Sequence, residues 1–137
     1  MGSGIEIGKS ITSKSHAIRQ EMLVGFERVI WQREANVHSS TDAAKQVGMD
    51  QTIASGQNQL AILHQMLEET FGEGWIRGGK IAARWICPVY ADDVITPHGQ
   101  VIDISTVDDR RRARLVVNCR NQHGVMTGTG TAEAFID

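Results

Sequence analysis

The stretch from Ser55-Gly56 to Gly72 constrains this chain more than any other. Leu60, Leu63, Leu67 and Phe71 recur at helical spacing, and Ile62 and Met66 widen their stripe. Ser55-Gly56 offers a start, and Gly72 and Gly74 an end. A helix apolar over so much of its circumference must be covered on most sides, so the remaining segments have to wrap it.

The segments that follow suit that task. Residues 80–87, 94–104, 113–120 and 125–135 have strand character, and Asn121-Gln122-His123-Gly124 predicts a hairpin joining the last two. Side chains alternate along a strand, so Gly128, Gly130, Ala132 and Ala134 share one face and Thr127, Thr129 and Thr131 the other. A face of such small residues leaves room for the long helix to lie close.

Upstream, residues 5–11 predict an opening strand with a bend at Gly8, and residues 12–18 alternate loosely. Met22, Leu23, Phe26, Val29 and Ile30 predict an amphipathic helix over 20–31. After a polar stretch, Ser40-Thr41-Asp42 offers an N-cap for a short helix ending near Gly48. The order is therefore strand, helical excursion, long helix and four strands. This α+β layout is that of the hot-dog architecture, a curved antiparallel sheet around one central helix.

Composition narrows the functional classes. At 137 residues, with 41% hydrophobic and 22% charged, the chain predicts a single ordered domain over 1–137. A net charge of −2 offers no broad attraction for a nucleic-acid backbone. Cys87 and Cys119 have no metal-ligand or disulfide-scaffold spacing and read as reduced thiols. Neither a basic, apolar leader nor a membrane-length apolar run occurs, so the chain reads as cytoplasmic, with no membrane partner. Met1 to Gly4 reads equally as a cloning remnant or a native start.

Two short motifs carry the chemistry. Asn36-Val37-His38 lies in the polar loop, and Ile53-Ala54-Ser55-Gly56 opens the long helix, with His38 and Gly56 18 positions apart. Histidine exchanges protons near neutral pH, and a helix start presents unpaired N–H groups with partial positive charge. Glycine there admits a carbonyl oxygen to the backbone. Together they supply an acid/base and an oxyanion donor, the two requirements for enolising a thioester and adding or removing water at its β-carbon.

These residues resemble the MaoC-like hydratases and dehydratases, which include R-specific enoyl-CoA hydratases. Ile5-Glu6-Ile7-Gly8 is similar to the family's start. Asn36 and His38 are followed by Ala44 and Gly48, six and ten residues after the histidine, and by Ile53-Ala54-Ser55-Gly56. Pro88-Val89-Tyr90-Ala91-Asp92-Asp93 resembles the family's Pro-Val-x-x-Gly-Asp, and Asn121-Gln122-His123-Gly124 its Asn-Gln-x-Gly turn.

The resemblance implies a hot-dog homodimer or larger homo-oligomer with interfacial sites, acting on acyl-CoA or acyl-carrier-protein thioesters without a metal or other cofactor. His38 takes the place of the family's histidine, and Gly56 that of its backbone donor. Ser55, Gln57 and Asn58 then line the acyl pocket. Apart from the resemblance, Trp31 leads directly into the histidine loop and reads as a wall of that pocket, with a core or dimer-interface aromatic as the other reading. The family loop reads Gly-Asp-x-Asn-Pro-x-His. Here Arg33-Glu34-Ala35-Asn36-Val37-His38 is one residue shorter and lacks the aspartate. Glu34 is the nearest replacement, and Asn36 is the alternative for positioning water.

Three functions follow from this reading. The leading one is a lyase that hydrates an enoyl thioester or dehydrates its 3-hydroxyacyl counterpart. A hot-dog thioesterase would instead use Glu34 or Glu68 to activate water. A binding subunit would hold a ligand without turning it over. Asp108 to Arg114 reads as a solvated turn, with phosphate pairing by its arginines as a second reading. The run Gln57-Asn58-Gln59 places amides on a buried helix, where they need partners, and an oxygenated acyl group would supply them.

Overall fold

A computed structural model describes residues 4–136. The alternative readings of the first residues concern Met1 to Gly4, of which Met1 to Ser3 lie outside that range. The elements run β1 (Ser10–Thr12), β2 (His16–Ala17), α1 (Gln20–Gly25), a π-helical turn (Phe26–Ile30), α2 (Thr41–Gln46) and α3 (Gly56–Phe71). They continue with α4 (Glu73–Ile76), β3 (Lys80–Trp85), β4 (Val94–Val107), β5 (Arg110–Arg120) and β6 (Met126–Phe135). The antiparallel sheet has the order β1-β4-β5-β6-β3, and β2 pairs with β4 beside this path. This is the expected hot-dog arrangement.

The core lies between α3 and the sheet. Leu63, Met66 and Leu67 are fully buried against a layer that includes Val101, Leu115, Val117, Ala132 and Ala134. Each such side chain contributes about 1.5–3 kcal/mol on leaving water. The small face of β6 does admit the helix: a Cβ on Gly128 would lie 2.9 Å from Gln59 Oε1. Leu60, expected in the buried stripe, is only half-buried, and Gln59 is turned inward instead. Thr127, expected on the outer face, is fully buried and bonded to Gln59.

Three further departures from the sequence reading have local causes. The opening strand shrinks to Ser10–Thr12 because Gly8, at φ +93°, turns the chain after a 2.8 Å bond from its N–H to the Val101 carbonyl. At the other end, β4 and β5 run on to Val107 and Arg110. Asp108 and Asp109, at φ +51° and +64°, form the two-residue turn whose twist matches that of the strands. Lastly, the helix over 20–30 changes from α to π at Phe26. The wider turn shifts the side-chain phase, so Val29 and Ile30 face solvent while Glu27 faces inward.

Candidate functional site

The segment from Thr52 to Ala54 is the frame on which the site is built. Ile53 N–H donates to the Val37 carbonyl at 3.1 Å, tying in the histidine loop. On the other side Ala54 N–H donates to Val89 at 2.7 Å, and Ala91 N–H to Thr52 at 3.0 Å. The Pro88 to Asp93 motif thus serves as the strap that holds this segment. Asp92, where the family pattern has glycine, adopts φ +74°, and its N–H donates to the Ile18 carbonyl. Aspartate tolerates this left-handed conformation better than most residues.

His38 is oriented at both ends. Its backbone N–H donates to Asn36 Oδ1 at 2.8 Å, and its ring Nδ1 lies 2.9 Å from the Ile53 carbonyl oxygen. A carbonyl only accepts, so Nδ1 carries a proton, and in the neutral tautomer this selects, the lone pair lies on Nε2. Asn36 is itself fixed, with Nδ2 donating to the Glu34 carbonyl at 2.8 Å and to Glu27 Oε2 at 3.3 Å. Ser40 caps α2 through Ala43 N–H at 3.2 Å, closing the loop.

Glu27 is the residue that sequence reasoning missed. Its side chain is only 1% exposed, and its carboxylate receives Arg33 Nε at 2.7 Å and Nη2 at 2.8 Å. It therefore anchors the loop through both Arg33 and Asn36. The signal was present in the sequence: Glu27 is four residues after buried Leu23, so it shares that helix face and is charged on an inward side.

A cavity of about 330 Å³ is bordered by His38, Gly56, Gln59, Trp85, Cys87 and Val89 among others. Among the described residues, Gly56 and Gln57 N–H have no hydrogen-bond partner, as at the open start of a helix. A second, larger cavity of about 570 Å³ runs along β3 past Gln57 and Leu60. Gly56 and Trp85 border both cavities, and a Cβ on Gly56 would lie 2.0 Å from the Trp85 indole nitrogen. Only glycine leaves space there for the indole.

The cavity brings together His38 and Gly56 but not all the expected residues. Glu34 is exposed, and its carboxylate has no polar partner among the described residues, so the shortened loop carries it outward. Trp31 also lies outside, packed edge-on to Phe26 with the Arg33 guanidinium 5.3 Å from its ring. Ser55 is buried, but its Oγ accepts Asn58 Nδ2 at 3.0 Å, so the two side chains satisfy each other. Gln57 is exposed and borders only the second cavity. Among the described residues no carboxylate lines the first cavity, and Glu68 is exposed about 18 Å further along α3.

The arginine-rich turn is also distant from the cavity. Arg110 and Arg112 lie over the Phe135 ring at 3.9 and 4.8 Å, and Arg112 pairs with Glu133 at 3.0 Å. Phe135 packs beside Gly74 and Gly78, beyond the C-terminal end of α3, whose 16 residues span about 24 Å. The cavity lies at the other end. Burial pushes the Cys119 thiol up to about 12, so it stays protonated; Cys87 is the thiol that borders the cavity. No group of three or more His, Cys, Asp or Glu side chains is placed to hold a metal among the described residues. Among the described residues no helix is long and apolar enough to cross a membrane.

A sheet curved around a buried helix, with a cavity bordered by both a histidine and the start of that helix, defines a hot-dog domain. The chain belongs to the MaoC-like domain family, whose model matches residues 6–122. Among solved structures it is similar to a MaoC-like dehydratase from Rhodospirillum rubrum, at TM-score 0.79 and 19% identity over 96% of this chain and 92% of that one. It is similar to R-hydratase PhaJ1 from Pseudomonas aeruginosa at TM-score 0.79 and 20% identity, covering 97% and 83%. A monoamine oxidase regulatory protein from Archaeoglobus fulgius gives 0.82 and 19%, covering 96% and 90%. At these identities the likeness is one of fold. No curated protein matches the chain.

Proposed function

We propose that this protein is a hydro-lyase acting on a 2-enoyl or 3-hydroxyacyl thioester, with coenzyme A or an acyl-carrier protein as the carrier. One observation carries the reading: the Nδ1 bond to the Ile53 carbonyl keeps His38 Nε2 available as a base on a cavity that also contains the Gly56 helix start. Membership of the MaoC-like family supports it.

In the hydration direction, Nε2 takes a proton from water as its oxygen bonds to the β-carbon. The alkene electrons move toward the thioester carbonyl, whose oxygen becomes negative where the Gly56 N–H and helix dipole stabilise it. The imidazolium then returns a proton to the α-carbon, so one water is added and no other reactant is consumed. Dehydration is the reverse. With no carboxylate among the described residues at the cavity, His38 serves as base and then acid.

The active form in this proposal is a cytoplasmic homodimer joined along β3. That strand is the sheet edge, and at its end Trp85 is 39% and Ile86 52% exposed beside the cavity. An unpaired edge carrying apolar side chains favours such pairing. A second copy there would border the cleft and bring its own side chains to it.

The test follows enoyl-thioester absorbance and free thiol together. Absorbance falling without thiol release is the expected result. Thiol release would indicate a thioesterase, and binding without either change a ligand-holding subunit.

A further inference from the structure

We infer that Gln59 selects acyl groups bearing a neutral oxygen, a hydroxyl or a ketone, beyond the reacting carbons. This rests on the thioester reading of the cavity and adds a substrate class to it.

Gln59 is 3% exposed, yet it borders the same cavity as His38. Only one end of its amide is satisfied within the protein. Oε1 lies 2.9 Å from Thr127 Oγ1, while among the described residues the amide nitrogen has no partner. Thr127 Oγ1 also lies 3.2 Å from the Cys119 carbonyl, and the hydroxyl has a single proton. If Thr127 donates to Cys119, the amide is turned so that its NH2 donates to Thr127 and its oxygen faces the cavity. In both orientations one polar amide atom remains unmatched.

The free amide atom is not among the fully buried unpartnered atoms, so it still reaches the cavity, and a purely hydrocarbon chain filling that cavity would cover it without a partner, at a cost. A hydroxyl fits either orientation because it both donates and accepts, and a ketone fits the first. A carboxylate fits poorly, since among the described residues no lysine or arginine borders this cavity to balance its charge. The neighbouring amides do not share the role: Asn58 is bonded to Ser55, and Gln57 faces outward.

The test compares enoyl-CoA substrates carrying a hydroxyl or a methyl at carbon 4, 5 or 6, similar in shape and different in polarity. The wild type is expected to favour the hydroxyl by about tenfold or more in kcat/KM at one or more of these positions. Gln59→Met, unbranched and of similar length, is expected to abolish or invert that preference, and Gln59→Leu serves if the first variant is unfolded by circular dichroism. Equal treatment of the two series by the wild type, or a ratio unchanged in the folded variant, would overturn the inference. Calorimetric titration with saturated hydroxyacyl-CoA and methylacyl-CoA reads the same preference without turnover. Selective binding with no hydration would therefore sink the hydro-lyase reading and leave the role of Gln59 standing.

Discussion

Glu27 holds Arg33 by two contacts, at 2.7 and 2.8 Å, from a position inside the protein, and the same carboxylate reaches Asn36. The loop that carries His38 is therefore organised by a residue on the preceding helical segment. Glu27→Gln keeps the volume but removes the charge that gathers both partners. A loss of about 1–3 kcal/mol in denaturant unfolding is expected. A fall in kcat larger than any rise in KM is expected with it, because His38 loses orientation while the cavity remains. Glu27→Asp, which keeps the charge, should recover part of both. Unchanged kcat in a folded Glu27→Gln would show that the loop holds His38 without this anchor.

Gly56 and Trp85 present a different kind of constraint. A Cβ at position 56 would collide with the indole, but Trp85 is partly exposed and free to swing outward. Alanine is also the better helix former, by up to about 1 kcal/mol. Gly56→Ala is accordingly expected to change stability by no more than about 1 kcal/mol. Activity should fall by roughly 100-fold, since the methyl group and the displaced indole obstruct the carbonyl position. Thermal melting and kcat/KM on the same preparation check this. Near-normal activity would remove Gly56 N–H from the mechanism.

His16 makes stability depend on pH. On β2, its Nε2 is buried without a hydrogen-bond partner. Burial lowers its pKa below the ordinary 6.5, Lys14 lowers it further, and Glu69 opposes them. The unfolded chain thus takes up this proton at higher pH than the folded one. The contribution is complete above 6.5 and is lost as pH falls from 6.5 through the lower folded value. In melts across that window, wild type should lose stability relative to His16→Gln as pH falls. Parallel curves would contradict the assignment.

Much of this architecture was legible from residue pattern. The width of the Leu63-Met66-Leu67 stripe required a wrapping sheet, the small residues of β6 showed where the helix approaches, and the loop motif placed His38 near Gly56. The spacing from Leu23 marked Glu27 as inward, but the exposure of Val29 and Ile30 was hidden because a π-turn breaks the 3.6-residue phase on which helix reading depends. Glu34 was a reasonable substitute by sequence distance, but adjacency along a loop does not determine which side faces the cleft. Gln59 was noticed only as one of three amides. Its separate role depends on Thr127, which is 68 positions away in sequence.

The most direct test is the hydration rate of a short 2-enoyl-CoA by wild type and His38→Ala, with both shown to be folded and in the same oligomeric state. The account predicts a fall of about 10²–10⁴-fold in kcat with ligand affinity largely retained. Equal rates in the two proteins would contradict it.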